Sequence, residues 1–289
     1  MSAKSKIVIP KNILAVHDIS CMSRCSLTVA LPVIAAAGIT CTVLPTALLS
    51  THTVGFEGYI CRDLTSDMLP MADHWQSLSS RPNFDAIYTG YLGSDQQLAI
   101  VAELIKTFKP KLTIIDPVMA DFGKLYDGFG PEFPSGMWNL CDKADVITPN
   151  MTEALLMLNK PYEEAPYTED FIYKTLKALG SGKRKVVLTG VHLKDKEPKE
   201  CYGAVVYDRG EIHYSLSKMI PGVYHGTGDL FASVLSSALV SGCTLNRATD
   251  IAVKVTGDSI ERTYKREADT KYGVDFELGL SGLRGMIFK

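Results

Sequence analysis

Charge of one sign is scarce in this sequence. Its 289 residues carry 30 Lys and Arg against 32 Asp and Glu, a net charge of −2. Without a basic run, it has no electrostatic footprint for nucleic acid or for an anionic membrane surface. Cysteine pairing is lacking as well: the seven cysteines are scattered, only Cys21 and Cys25 lie close together, and no CxxC occurs. This argues against a disulfide framework or a structural zinc site and suits a reducing cytoplasm, where thiols pack as small hydrophobes. The six histidines form no HExxH, so catalytic zinc has no support. No GxGxxG follows the first apolar strand, which removes the main argument for a dinucleotide-binding fold. Gly180-Ser181-Gly182-Lys183 has the wrong spacing for a phosphate-binding loop and precedes a strand where that loop must follow one.

Uninterrupted apolar helices are missing too. Residues 25–56 contain no Asp, Glu, Lys or Arg, a stretch longer than the ~20 residues a membrane span needs. Yet Pro32, Gly38, Pro45 and His52 interrupt it, and threonines crowd its second half. It divides better into a buried helix (Ser26–Ala37), a buried strand (Thr40–Leu44) and a polar loop. The opening MSAKSKIVIPKN has too short an apolar stretch and too early a proline for a secretory signal, so a cytoplasmic protein is expected.

What is present is the pattern of an α/β protein, with hydrophobic residues at 46%. Short β-rich apolar runs alternate with longer helical ones, the arrangement of a parallel sheet covered on both faces. Strands are expected at Ile13–Val16, Thr40–Leu44, Ala86–Thr89, Thr113–Asp116, Val146–Thr148 and Val186–Thr189. Helices are expected at Arg62–Leu78, Asp95–Phe108, Thr152–Leu158, Glu169–Leu179, Leu230–Val240 and Asn246–Lys265. Tyr202–Tyr207 and Ile212–Leu216 read as a hairpin turning at Gly210. No linker or repeat divides the chain, which is read as one domain.

Several strands end in polar residues: His17-Asp18, Asp116, Thr148 with Asn150, and Thr189. Each alone could simply cap a helix. Together they converge on one crevice, because ligands of open α/β sheets sit beyond the carboxyl ends of the strands. The most informative segment is Gly226-Thr227-Gly228-Asp229, followed at once by an apolar series at helical spacing. Glycines let a ligand approach the backbone, and the free N–H groups of a first helical turn suit a phosphate. An aspartate there could accept the proton of an attacking hydroxyl, or could merely favour the helix dipole.

This GTGD helix start, Thr148-Pro149-Asn150 with Glu153 one turn on, and the strand end Asp116-Pro117-Val118 together resemble the ribokinase-like superfamily. Within it, Lys11-Asn12-Ile13-Leu14-Ala15 and Thr89-Gly90-Tyr91-Leu92-Gly93 are most similar to the vitamin B6 kinases. The resemblance implies a three-layer αβα fold with a mostly parallel sheet, and ATP-dependent phosphorylation of a primary hydroxymethyl group. It implies that Asp229 is the base and that Gly226, Thr227 and Gly228 with it form an anion hole. Asp116, Asp121 and Glu153 would hold Mg²⁺ largely through water, and K⁺ would sit near Thr227. ATP would lie along Asp116, Thr148, Asn150, Glu153 and Thr189, with adenine near Leu216, Ser217, Lys218 and Met219. Asp18, Ser20, Thr46 and Tyr91 would surround the pyridine ring, under a flap at 46–59 with Tyr126 as a second lid residue. A homodimer is also implied.

Three features depart from the B6 pattern: Asp18 stands where Ser is frequent, the loop Cys21–Cys25 lacks its glycines, and His225 precedes GTGD in place of a small apolar residue. Rival readings are a hydroxymethylpyrimidine phosphate kinase, whose members usually carry Cys in place of Asp229, a sugar kinase, and a non-catalytic B6-binding protein.

Overall fold

The computed structural model describes residues 10–180, 184–194 and 201–289. The opening residues and Ser181–Lys183, on which two of the sequence readings fall, lie outside them. Among the described residues a nine-stranded sheet runs in the order β11-β10-β9-β8-β5-β4-β1-β2-β3. Its strands are β1 (Asn12–Ser20), β2 (Thr40–Leu49), β3 (Cys61–Asp63), β4 (Ala86–Thr89), β5 (Leu112–Ile115), β8 (Val146–Ile147), β9 (Lys185–His192), β10 (Cys201–Asp208) and β11 (Glu211–Lys218). The small pair β6 (Ala120–Asp121) and β7 (Lys124–Leu125) stands apart. From β2 through β9 neighbours run parallel, and β3, β10 and β11 add antiparallel edges.

Strand period builds two cores. In β1, Leu14 and Val16 face one way, toward α2 (Thr65–Ser77), α3 (Asp95–Phe108), α4 (Phe133–Cys141), α5 (Met151–Met157) and α6 (Glu169–Leu179). Ile13 and Ala15 face the other, toward α1 (Leu27–Ala36), α7 (Thr227–Ser241), α8 (Leu245–Lys265) and α9 (Leu280–Ile287). Because both faces are covered, the central strands read as continuous apolar runs rather than alternating ones. This is the expected α/β architecture.

The differences from the sequence reading have physical reasons. The helix expected from Arg62 begins at Thr65, because Cys61–Asp63 pair with Ala47–Leu49 and the Asp63 carboxylate accepts the Thr65 N–H at 2.9 Å. β2 continues to Leu49, so Thr46–Leu49 are strand and the loop under the expected flap spans residues 50–60. Pro45, which offers no ladder donor, pairs with His17 where the β1–β2 register shifts, as a proline within a sheet requires. β1 itself runs on to Ser20, placing His17 and Asp18 inside the strand. The Arg209–Gly210 turn has positive φ at both residues, the geometry of a two-residue hairpin loop.

Chain order reverses at β1, whose neighbours are β2 on one side and β4 on the other. The crevice beyond this switch point is where an open α/β sheet binds ligands.

Candidate active site

A cavity of about 290 Å³ opens beyond the carboxyl ends of β5, β8 and β9 and against the start of α7. Gly226 ends the preceding loop at φ 73°, and a Cβ there would lie 1.9 Å from the Arg24 carbonyl oxygen, so both conformation and space demand glycine. The first N–H groups of α7 have no intrahelical acceptor and carry the positive dipole end. A Cβ on Gly228 would meet no atom within 4 Å. That open cradle beside free N–H groups fits a phosphoryl group.

Asp229 sits in this first turn with its side chain 14% exposed. Its Oδ2 accepts the Ser26 N–H at 2.8 Å and its Oδ1 lies 3.0 Å from His17 Nε2. The α1 entry loop and the strand β1 thus both grip one carboxylate.

Across the cavity, Thr148 donates to Asp116 Oδ1 at 2.9 Å. Burial, and next the charge of Asp229, push the Asp116 carboxyl up to about 7. Glu153 is raised well above its ordinary range by burial and by the charge of Asp116. Its two oxygens accept backbone N–H groups, Oε1 from Met119 at 3.1 Å and Oε2 from Asn150 at 2.9 Å. Asn150 Oδ1 accepts the Glu153 N–H in return, completing a capping box at α5. Asp121 is exposed on β6 at the mouth. Among the described residues no three His, Cys, Asp or Glu side chains gather tightly enough to hold an ion directly. Hard oxygen donors spaced in this way fit a divalent ion that keeps much of its water.

The expected residues divide into three groups. Asp116, Asp121, Tyr126, Thr148, Asn150, Glu153, Thr189, Ser217 and Gly226–Asp229 all line the cavity. Several are occupied within the protein: Asn150 Nδ2 donates to the Ala120 carbonyl at 2.8 Å and Thr189 Oγ1 to that of Pro149 at 3.3 Å. Of the segment Leu216–Met219 only Ser217 reaches it. Leu216 packs in the core on the other face, as the two-residue period of β11 dictates, and Lys218 is exposed. The far wall comes instead from Tyr202 and from Val253, Thr256, Gly257 and Ile260 of α8. Sequence reasoning missed these α8 residues, since their spacing reads as ordinary core. Gly257 was the signal: a Cβ there would stand 3.2 Å from Ser217 Oγ, so glycine brings α8 close to β11.

The third group, Asp18, Ser20, Thr46 and Tyr91, lies outside the cavity lining, at the switch point. Asp18 is buried, with Oδ1 3.1 Å from His17 Nδ1 and Oδ2 accepting from Ser20 at 2.9 Å. Thr46 is buried and donates to the Tyr91 carbonyl at 3.0 Å. These groups are more committed to one another than a set of open ring contacts would be. His17, read only as a strand end, joins the two halves. Burial pulls its pKa down, but the hydrogen bonds and charges of Asp18 and Asp229 more than offset this and raise it to about 10.

The 50–60 loop folds back toward His225 and Lys271, beside the start of α7. His52 Nε2 lies 2.6 Å from the Lys271 carbonyl, and its ring is 5.0 Å from Phe56 and 5.1 Å from His225. Phe56 meets Tyr272 edge-on at 5.4 Å. Burial and the neighbouring His52 lower the pKa of His225, which also lines the cavity.

The family described as phosphomethylpyrimidine kinase matches residues 30–273. A Bacteroides thetaiotaomicron protein assigned to the phosphomethylpyrimidine kinases and crystallised with pyridoxal is 38% identical, with a TM-score of 0.88 over 95% of this chain and 96% of that one. The pyridoxal kinase of Lactobacillus plantarum is 30% identical, with a TM-score of 0.86 over 96% of this chain and 97% of that one. Pyridoxal kinase of Homo sapiens is 29% identical over 211 residues, 64% of each chain.

Proposed function

The chain belongs to the phosphomethylpyrimidine kinase family, beside the pyridoxal kinases of the ribokinase-like superfamily, and from that premise we propose that it is a pyridoxal kinase. It transfers the terminal phosphoryl group of ATP to the 5′-hydroxymethyl group of a B6 vitamer: pyridoxal, pyridoxamine or pyridoxine. The observation that carries this reading is Asp229 on the first turn of α7, its carboxylate gripped from two sides at the head of the cavity.

Phosphoryl transfer asks chiefly for positioning and charge stabilisation. The acceptor hydroxyl would approach Asp229, whose carboxylate takes its proton as the new O–P bond forms and the bond to ADP breaks. The N–H groups from Gly226 to Asp229 would receive the oxygens of the transferring phosphoryl. A divalent ion, which we take to be Mg²⁺, supplies charge neutralisation when bound, and Asp116, Asp121 and Glu153 would hold it through water. Thr148, Asn150 and Thr189 would line the triphosphate, and the apolar wall of α8 with Tyr202 would take the adenine. Asp18, Ser20, Thr46 and Tyr91 would shape the acceptor side. A K⁺ ion near Thr227, a homodimer, a cytoplasmic location and a single kinase domain complete the proposal, with residues 50–60 and Tyr126 as lids that keep water from the phosphoryl group.

Hydroxymethylpyrimidine is the second substrate to weigh, because the matching family bears the name of its phosphate's kinase. A panel of pyridoxal, pyridoxamine, pyridoxine, hydroxymethylpyrimidine and ribose, each with MgATP, tests the reading. The highest kcat/KM belongs to a vitamer; a higher value for hydroxymethylpyrimidine or ribose would overturn it. Asp229→Asn should fold, bind nucleotide and lose ~10²–10⁴-fold in turnover.

A further inference from the structure

The proposed reaction leaves the buried His17 at the crevice without a task. His17 is 1% exposed, and strand period puts it on the same face of β1 as Ile13 and Ala15, the face that α7 covers. We propose that His17 is a positioning residue that fixes the carboxylate of Asp229 for proton acceptance, with Asp18 as its support. This rests on the reading of Asp229 as the base.

The surroundings of the two ring nitrogens make the assignment. Nε2 has one polar neighbour, Asp229 Oδ1 at 3.0 Å, a group that can only accept when ionised. Nδ1 has three: the Asp18 carboxylate at 3.1 Å, the Asp18 N–H at 3.1 Å and the Tyr91 N–H at 3.3 Å. In the neutral ring whichever nitrogen is unprotonated turns a lone pair on a carboxylate, Nδ1 on Asp18 or Nε2 on Asp229. In the imidazolium Nδ1 donates to Asp18, and Nε2 carries its own proton. The imidazolium, which offers each carboxylate a donor, therefore aims Nε2–H at one oxygen of Asp229, while Ser26 N–H holds the other at 2.8 Å. With a donor on each oxygen, the plane of the carboxylate is set and a second lone pair on each remains for the acceptor hydroxyl.

The rest of the fold preserves this ring. A Cβ at position 90 would lie 1.7 Å from His17 Nε2, so the glycine after β4 leaves the imidazole its space. Tyr88 meets the ring edge-on at 6.0 Å. Ser20 in turn donates to Asp18 at 2.9 Å, which fixes the carboxylate behind Nδ1. A carboxylate orienting an imidazole is a recurring way of setting tautomer and direction.

The test compares His17→Gln, whose amide nitrogen can replace Nε2–H as a donor, with His17→Met, of similar volume and without a donor. His17→Met should lower kcat by ~10–100-fold, the scale of a misplaced catalytic group, with the KM for ATP and for vitamer little changed. His17→Gln should restore most of that loss. Imidazole ¹H–¹⁵N correlation spectra of the unaltered protein should show Nε2 protonated from mildly acid to mildly alkaline pH. Equal kcat values for the two variants, or an unprotonated Nε2, would overturn the proposal. Asp229→Asn measured alongside separates the two readings. If it loses less than tenfold, the base assignment falls and takes this proposal with it. If it loses more while His17→Met is as fast as the unaltered enzyme, the positioning role alone falls.

Discussion

Gly90→Ala should be among the most damaging methyl groups that can be added to this protein, for a reason of space alone. The backbone at Gly90 is not in the left-handed region, but its added Cβ would lie 1.7 Å from Nε2, 2.1 Å from Cδ2 and 2.2 Å from Cε1 of His17. Ordinary contacts begin near 3.4 Å, so the ring must retreat by well over an ångström, and it is fully buried with both nitrogens engaged. Losing the bond to a charged Asp229 costs about 1.5–3 kcal/mol and overpacking adds about 1–3 kcal/mol. A total of roughly 3–6 kcal/mol lowers Tm by about 5–10 °C, taking ~2.1 cal/mol/K of unfolding entropy per residue over the 289 residues. Thermal melts of Gly90→Ala, His17→Ala and the double variant provide the assay. Once the imidazole is removed, alanine at 90 meets no ring, and its cost should shrink to near zero or turn slightly favourable, as for glycines with compatible backbone. Additivity of the two substitutions within ~0.5 kcal/mol would refute the reasoning, because independent sites add and contacting ones do not.

Three further outcomes are expected. Glu153→Gln puts an amide N–H against the backbone N–H of Met119 or Asn150, so it should cost about 1–3 kcal/mol in denaturant melts and raise the Mg²⁺ concentration for half-maximal activity more than the vitamer KM; a change in vitamer KM alone would move Glu153 to the acceptor side. His17 has its pKa raised from 6.5 to about 10, so its stabilisation is complete below pH ~6.5 and is lost as pH rises through about 10, with a ceiling of roughly 5 kcal/mol. His17→Gln should remove that alkaline slope from a stability–pH series, and an unchanged slope would assign it to other groups. His52→Ala should loosen the 50–60 loop and raise ADP release in the absence of vitamer, which a coupled ADP assay measures.

The parts of the fold that can be read from the sequence are those whose local pattern and tertiary role coincide. Ala86–Thr89 is fully buried and Asp95–Phe108 cleanly amphipathic, and their bounds match the expected ones. Cys61–Asp63 carries no strand pattern; it becomes β3 only by pairing with Ala47–Leu49. The helix Phe133–Cys141 is concealed by Pro134 and Gly136, yet proline suits its first turn and glycine lets it approach α3, where a Cβ would come within 2.9 Å of Asp95. The cavity residues are legible where they punctuate strand ends or a helix start, as with Asp116 and Gly226–Asp229. The α8 wall is not, because a residue facing a ligand and one facing a core both read as buried. His17 is the clearest case, since its partner Asp229 is 212 positions away and nothing local announces the contact.

The compact end of β1 also limits how this enzyme can change. His17, Asp18 and Ser20 fall within four consecutive positions of one strand and are tied to one another by hydrogen bonds. On the proposed roles, turnover and acceptor shape are inherited together there, and a substitution selected for a new acceptor also alters the support of Asp229. Variation that leaves rate intact has freer ground in the 50–60 loop, which meets the rest of the crevice through ring contacts of His52 and Phe56 and a hydrogen bond from His52 to Lys271, outside this chain of bonds. Laboratory evolution toward a bulkier heteroaromatic alcohol should accumulate its early changes in that loop and reach the strand last, if at all.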